Sequence, residues 1–262
     1  MTRITAVLFD LGDTLWHFPA MPPVEVIRNE TVRRLKELLE GWGEEVTEGR
    51  YFLGRDIRMA VEEETSRAFH GDCLDPGYPE LCRRVAARHA LKLTPEQGEE
   101  LWETWNLGGQ FLGRTLFPGT LEALRSLRDR GFRLGSVTNR GYGGPRFRQE
   151  MEDLGLADLF GIVAVSCDVG YMKPHPRIFE HALDAMGLDP HAVAMVGDNI
   201  RADVEGPKAL GMTAIWCRPP LDEPVEASAD PPEVVGGARP DHTVDSVTEI
   251  PGLPLFSAGA AK

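Results

Sequence analysis

Positive charge and long apolar runs are both scarce in this sequence of 262 residues. Its 28 Lys and Arg residues against 41 Asp and Glu residues give a net charge of −13, which repels phosphate backbones and anionic lipid surfaces. No apolar run approaches the ~20 residues that span a bilayer, and the start carries no apolar stretch typical of an export signal. We therefore expect a cytoplasmic protein with neither a nucleic-acid nor a membrane partner. A small anion accompanied by a metal remains acceptable as a ligand.

Closely spaced cysteine pairs are missing as well. The four cysteines are Cys73, Cys82, Cys167 and Cys217. None of them has the CxxC spacing of a metal or redox site. Cys167 and Cys217 lie in or beside apolar, strand-like runs, where a thiol behaves as a small hydrophobic group. We expect all of them to be reduced and structural.

The most informative segment is an apolar run that ends in a carboxylate. Ala6–Phe9 consists of consecutive apolar residues, the pattern of a strand buried on both faces of a parallel sheet. Asp10 follows the run, and Gly12 allows the backbone to turn. Because ligands of open α/β sheets bind just outside the carboxyl ends of the strands, Asp10 is placed for chemistry. A turn-capping role for Asp10 stays open unless other strands bring partners to the same edge.

Two hinges enclose a region with a different pattern. Residues 16–23 (WHFPAMPP) are rich in proline, so they predict a hinge that continues neither a strand nor a helix. Residues 117–119 (FPG) predict a second hinge. Between them, apolar residues recur at helical spacing, and residues 94–97 (TPEQ) form a capping box with Pro at the first helical position. We therefore predict a helical cap domain at 19–115, inserted into a core domain made of 1–18 and 116–262.

Beyond the second hinge, strands and helices alternate. The predicted strands cover 133–138, 162–166, 192–196 and 213–217, with helices at 121–130 and 178–186. Single helices between strands imply right-handed crossovers, so we predict an α/β fold: a Rossmann-like parallel sheet with helices on both faces. Residues 219–240, rich in Pro, Ala, Glu and Gly, predict a mobile surface loop, and 242–244 predicts a last edge strand.

The predicted strand ends carry complementary polar groups. These groups are Asp10, Thr138, Asn139, Lys173, Asp198 and Asp203. They comprise a nucleophilic carboxylate, two neutral hydrogen-bond donors, a cation and an acidic pair. Such a set suits an anionic substrate together with a divalent metal.

These residues fall into four short motifs, the first at 9–14 (FDLGDT) and the last at 197–203 (GDNIRAD). Four such motifs in this order, with a helical insert after the first, resemble the haloacid dehalogenase superfamily over most of the chain. The resemblance implies that Asp10 attacks the substrate and forms a covalent intermediate. It also implies catalytic roles for the Thr138 hydroxyl and for Lys173, which restrains the nucleophile and the bound anion.

The resemblance further implies Mg²⁺ as the cofactor. The expected metal ligands are Asp10, the backbone carbonyl of Gly12, Asp198 and Asp203. The expected substrate-binding residues are Asn139, Gly12 and Asp13. Structural roles remain open for three residues: Asn139 can shape the loop, Asp203 can cap the following helix, and His17 can pack in the hinge or donate a proton.

The sequence departs from the phosphatase pattern at one position. In that branch the second residue after the nucleophile is usually another Asp, which protonates the leaving group. Here that residue is Gly12, followed by Asp13. Gly12 keeps a carbonyl for a metal, but general acid catalysis, typically worth 10²–10⁴ in rate, has no assigned residue. Dehalogenase-like members lack this Asp too, but they need no Mg²⁺, and the acidic pair of Asp198 and Asp203 argues against their chemistry.

We therefore predict a magnesium-dependent hydrolase of phosphoric monoesters that acts on a small phosphorylated metabolite through an aspartyl-phosphate intermediate. One alternative is a metal-free hydrolase similar to the 2-haloacid dehalogenases. The other is a non-catalytic binding module. A chelator separates the three, because it should stop a phosphatase, spare a dehalogenase and leave a binding module without turnover.

Overall fold

The computed structural model describes residues 3–45, 47–218 and 238–257. The chain divides into two compact units: the larger combines Met1–His17 with Thr115–Lys262, and the smaller is Phe18–Arg114. Most of the predicted loop at 219–240 lies outside the described residues. The role of the smaller unit as a cap stays a prediction.

A parallel sheet forms the centre of the larger unit. The strands of the described residues are β1 (Ala6–Phe9), β2 (Trp16–His17), β3 (Thr115–Leu116), β4 (Arg133–Thr138), β5 (Val163–Val165), β6 (Val193–Gly197), β7 (Thr213–Cys217) and β8 (His242–Val244). Within this part of the chain, six strands are ordered β5-β4-β1-β6-β7-β8, and each neighbouring pair is parallel. The strand that carries Asp10 at its end, β1, therefore lies in the middle of the sheet.

Helices cover the sheet and build the smaller unit. In the described ranges they are α1 (Val24–Gly41), α2 (Leu53–His70), α3 (Tyr78–Arg88), α4 (Pro95–Trp105), α5 (Gly108–Phe111), α6 (Thr120–Asp129), α7 (Gly144–Asp153), α8 (Ser166–Val169), α9 (Pro176–Met186) and α10 (Gly206–Ala209). Short 3₁₀ segments lie at Glu48–Phe52, Ala157–Leu159, Pro190–Ala192, Val247–Gly252 and Pro254–Phe256, and a π-helical segment at Ile200–Glu205.

Alternate residues of β1 face opposite sides of the sheet. Val7 belongs to a hydrophobic core with Leu124 of α6, whereas Leu8 belongs to a second core with Ile178 of α9. Both faces of the sheet are therefore covered, which is why the strand is apolar at every position. This confirms the predicted α/β fold with a parallel sheet and helices on both faces.

The predicted strands at 133–138 and 213–217 coincide with β4 and β7. The strand predicted at 162–166 is shorter, because Ser166 already begins α8. The first hinge was wrong in one respect: Trp16 and His17 form β2, which pairs antiparallel with β3. A two-residue pairing between distant segments leaves no periodic pattern, so the sequence could not indicate it.

The smaller unit is helical, and aromatic side chains occupy its core. Tyr78 stacks on Trp102 with ring centroids 4.7 Å apart, and Trp102 stacks on Trp105 at 5.4 Å. The predicted capping box is present at the start of α4, where Thr94 and Gln97 exchange hydrogen bonds. None of the helices in the described residues is long and apolar enough to cross a membrane.

The four cysteines, all within the described residues, form no disulfide bonds. Burial raises the pKa of Cys82 and of Cys217 to about 12. These two thiols therefore stay protonated at neutral pH and pack as small hydrophobic groups.

Candidate active site

Four neighbouring strands bring polar residues to one edge of the sheet. Asp10 follows β1 directly, Thr138 is the last residue of β4, and Asp198 follows β6. Lys173 lies in the connection from α8 to α9, which continues from β5. Because these strands are parallel, their carboxyl ends meet at the same edge, where α/β proteins bind ligands.

The centre of the site is an ammonium group between two carboxylates. Lys173 Nζ donates to Asp10 Oδ1 at 2.6 Å and to Asp203 Oδ1 at 2.7 Å. The side chains of Lys173 and Asp203 are 2% and 1% exposed, and that of Asp10 is 12% exposed. Burial lowers the pKa of Lys173, but the charges of Asp10 and Asp203 outweigh it and raise the pKa above its ordinary value. Lys173 is therefore charged and fixes the Asp10 carboxylate.

Asp198 completes a cluster of three carboxylates. One oxygen from each of Asp10, Asp198 and Asp203 lies within 4.8 Å of the other two. Burial and the charges of Asp10 and Asp203 raise the pKa of Asp198 to about 7, and burial raises the pKa of Asp203 as well. One ammonium group thus faces three carboxyl groups. The remaining negative charge and the oxygen donors fit a hard divalent cation such as Mg²⁺.

A glycine at the end of β6 makes room for Asp203. A Cβ on Gly197 would overlap the Asp203 carboxyl group, so a larger residue there would displace it. The Asn199 backbone N–H donates to Asp203 Oδ2 at 3.1 Å. Asp203 lies inside the π-helical segment, whose N-cap is Asn199, so the capping role considered for Asp203 is wrong. Gly197 was not among the predicted site residues, although its place as the first residue of the motif at 197–203 is a signal for it.

Two further residues hold Asp198, and the sequence analysis identified neither. Thr14 Oγ1 donates to Asp198 Oδ1 at 3.2 Å. Trp216 Nε1 donates to the Asp198 backbone carbonyl at 2.7 Å, and its ring packs on Val204 of the π-helical segment. Thr14 belongs to the first motif and could have been found there. Trp216 lies on β7, so its contact follows only from the strand order.

The residues at the end of β4 have different environments. The Thr138 side chain is buried at the edge of the sheet. The Asn139 side-chain amide binds the backbone of Lys173: its Oδ1 accepts from Lys173 N at 2.6 Å, and its Nδ2 donates to Lys173 O at 3.0 Å. A contact of Asn139 with substrate stays a prediction, but the side chain already has a specific partner.

Asp13 is not one of the three carboxylates of the cluster. Asp13 has a φ of 52°, in the left-handed region that residues other than glycine rarely adopt. It lines a cavity with Cys217, Arg218 and Asp245, beyond the ends of β7 and β8. Its predicted contact with substrate stays a prediction.

The loop that follows Asp10 has free space for a Cβ at Gly12. Among the described residues, a Cβ on Gly12 would meet only Trp16 Nε1, at 3.9 Å, an ordinary van der Waals distance. His17 stacks on Phe117 with ring centroids 4.2 Å apart, which agrees with the packing alternative for this histidine. The metal and substrate contacts expected of Gly12 stay predictions.

Comparisons with known proteins agree with this geometry. A family model described as haloacid dehalogenase-like hydrolase matches residues 4–211. A glyceraldehyde 3-phosphate phosphatase of Methanopyrus kandleri is 29% identical over 217 residues, which are 82% of this chain and 84% of that protein. A phosphoserine phosphatase of Thermus thermophilus is 38% identical over 149 residues, 55% of this chain and 56% of the relative.

A solved structure supports the fold. The 2-haloacid dehalogenase of Pseudomonas syringae superposes with a TM-score of 0.62 over 96% of this chain and 97% of that chain, at 24% identity. At this identity the likeness concerns the fold alone. With the family model matching most of its length and the motif residues assembled at one sheet edge, this chain belongs to the haloacid dehalogenase-like hydrolases.

Proposed function

We propose that this hydrolase removes phosphate from a small phosphorylated metabolite, with Mg²⁺ as cofactor and an aspartyl-phosphate on Asp10 as intermediate. The observation that carries the proposal is the Lys173 ammonium group, which lies between Asp10 and Asp203 in a cluster that also contains Asp198. The similarity to a glyceraldehyde 3-phosphate phosphatase and a phosphoserine phosphatase supports a phosphate monoester as the substrate.

Asp10 is suited to act as the nucleophile. Lys173 holds its Oδ1, which leaves Oδ2 for attack on phosphorus. Attack forms the O–P bond of the aspartyl-phosphate and breaks the ester P–O bond, and the leaving oxygen then takes up a proton. A water molecule next attacks phosphorus and releases a proton to solvent, which balances the proton taken up by the leaving oxygen; the bond to Asp10 breaks, and inorganic phosphate leaves. The Asp10 carboxylate is thereby regenerated.

Fixed positive charge and hydrogen-bond donors stabilise the transferring group in such a reaction. Lys173 supplies the charge, and the Thr138 hydroxyl at the end of β4 supplies a donor. Asp10, Asp198 and Asp203 would hold Mg²⁺, and the Gly12 carbonyl is a further ligand in this proposal. When bound, the metal neutralises charge on the phosphoryl oxygens and orients the phosphate for attack.

The test compares hydrolysis by the wild type, Asp10→Asn and Asp184→Asn. The substrates are a panel of phosphate monoesters, including glyceraldehyde 3-phosphate and O-phosphoserine, and 2-chloropropionate, each with Mg²⁺ or with EDTA. We expect phosphate release that requires Mg²⁺ and that falls by roughly 10³-fold or more in Asp10→Asn, because this variant lacks the nucleophile. Asp184 is exposed on α9 and serves as the matched control, so its variant should keep full activity.

Each other outcome has a distinct meaning. Halide release that survives EDTA would replace the phosphatase with a dehalogenase. Phosphate release at the wild-type rate in Asp10→Asn would exclude the covalent mechanism. No turnover of any substrate by the wild type would favour the binding module.

A further inference from the structure

The side chain of Asn139 binds one residue at two points. Its Oδ1 accepts the backbone N–H of Lys173 at 2.6 Å, and its Nδ2 donates to the backbone carbonyl of the same residue at 3.0 Å. A primary amide offers a donor and an acceptor side by side, so it matches the N–H and C=O of one backbone residue. Both hydrogen-bonding ends of the amide are thus used within the protein.

Lys173 needs such support because it lies outside regular secondary structure. It is in the connection between α8 and α9, where no ladder or helix fixes its backbone. Its ammonium group nevertheless reaches two carboxylates at 2.6 and 2.7 Å. The Lys side chain is long and has several rotatable bonds, so it does not fix the position of Nζ by itself. The backbone of Lys173 must therefore be held in place for Nζ to reach both carboxylates.

Asn139 is itself held firmly. It follows the last residue of β4, and the next residue, Arg140, is fixed at its backbone by Ser166. The Arg140 N–H donates to Ser166 Oγ at 2.9 Å, and Ser166 Oγ donates to the Arg140 carbonyl at 3.1 Å. The amide is therefore attached to a segment that is tied to two neighbouring strands, β4 and β5.

We propose that Asn139 is a positioning residue, which acts on the reaction through Lys173 and not by contact with the substrate. The inference rests on the proposed function for its kinetic readout. It assigns to Asn139 a role different from the substrate contact expected from the sequence.

Two substitutions test the geometry of this contact. Asn139→Leu keeps a similar volume and removes both hydrogen bonds. Asn139→Asp keeps an acceptor for the Lys173 N–H but places a carboxylate oxygen against the Lys173 carbonyl. We expect both to lower kcat by about 10- to 100-fold, as is typical when a residue that orients a catalytic group is lost. KM should change by less than about threefold, since no substrate contact is removed.

A double-mutant cycle with Lys173→Met provides the decisive readout. The backbone of Lys173 remains in this variant, so Asn139→Leu should destabilise the fold equally in both backgrounds. Its effect on kcat should disappear when Lys173 is already Met, because there is no ammonium group left to position. Gln149→Leu, which removes an exposed side-chain amide bonded to Asp153 at 3.0 Å, is the matched control and should leave kcat unchanged.

Several outcomes would overturn the inference. They are a rise in KM that accounts for the loss of activity, or an equal kcat effect of Asn139→Leu in the Lys173→Met background. If Lys173→Met is inactive or does not fold, the kcat and KM data on the single variants decide. If the wild type hydrolyses no phosphate monoester, the proposed function fails first, and the same cycle is then measured on whichever substrate is turned over.

Discussion

The two units each contain a cation that bridges two carboxylates, and the two bridges lie in opposite environments. In the larger unit, Lys173 Nζ lies 2.6 Å from Asp10 and 2.7 Å from Asp203, and all three side chains are nearly buried. In the smaller unit, Arg33 of α1 lies 2.7 Å from both Glu30 and Glu37, with Arg33 54% exposed and Glu37 61% exposed.

Similar distances do not mean similar consequences. When an exposed ion pair is broken, water hydrates both ions at little cost in free energy, so such pairs contribute little to stability. Buried ions have lost their hydration, so removing one leaves the others without compensation. The Arg33 bridge is thus a surface feature of a helix, whereas the Lys173 bridge fixes the positions of charged groups that chemistry can use.

Removing Lys173 or Arg33, the cation of each bridge, should give the largest difference between the two units. We expect Lys173→Met to lower the free energy of unfolding of the metal-free protein by about 3–5 kcal/mol, because it leaves Asp10 and Asp203 unpaired. It should also reduce kcat by roughly 10³-fold or more, since the transferring group loses its fixed positive charge. Arg33→Met, the matched control, should leave both quantities nearly unchanged. Denaturant unfolding and steady-state kinetics measure the two effects, and equal losses in both variants would contradict the comparison.

The second contrast concerns Asp198, the third carboxylate of the cluster, whose charge Lys173 leaves uncompensated. The pKa of Asp198 is raised from 3.8 to about 7 by burial and by Asp10 and Asp203. Between these values the folded protein binds a proton that the unfolded chain has released, so this group makes the metal-free protein less stable as the pH rises. We therefore expect Asp198→Asn to be more stable than the wild type at pH 8 without metal, and the difference to shrink as the pH falls and to vanish only near pH 3.8.

With Mg²⁺ at pH 8, the wild type should become more stable than Asp198→Asn. The wild type should gain thermal stability from Mg²⁺ at pH 8 and little near pH 5, where protons compete for the carboxylate. Asp198→Asn should need about 10- to 100-fold more Mg²⁺ for half-maximal activity. Thermal unfolding at both pH values with EDTA or Mg²⁺, and a magnesium titration of activity, check this. Identical magnesium titrations of wild type and variant would remove Asp198 from the metal site.

The sequence predicted the features that depend on local patterns. The apolar run at Ala6–Phe9 identified a central strand, and the parallel arrangement placed Asp10 and Asp198 at one edge. What it missed depends on contacts between distant segments. The indole of Trp216 on β7 reaches the Asp198 carbonyl at the end of the neighbouring β6, and the amide of Asn139 binds the Lys173 backbone. No spacing or propensity marks these partners, because they follow from strand order and loop geometry.

The last contrast concerns the proton donor for the leaving group, a role for which this chain has no assigned residue. Gly12 stands where a phosphatase of this family usually has an acid, and Asp13 lines a cavity with Cys217 and Asp245. Without a positioned acid, the leaving oxygen departs as an anion. We therefore expect kcat/KM of the wild type to increase steeply with the acidity of the leaving alcohol, so that aryl and acyl phosphates are better substrates than alkyl phosphates.

Adding the acid should flatten that dependence. The loop accepts a Cβ at this position, since a Cβ on Gly12 would meet Trp16 Nε1 at 3.9 Å, an ordinary van der Waals distance. We expect Gly12→Asp to raise kcat/KM for alkyl phosphates by about tenfold, below the full value of a general acid because the turn did not evolve around it. Gly12→Asn, which has the same shape and no acidic proton, should give no gain. The measurement is kcat/KM with saturating Mg²⁺ across phosphate monoesters of graded leaving-group pKa. If the wild-type series is flat while chemistry limits the rate, another residue of this chain already supplies the proton.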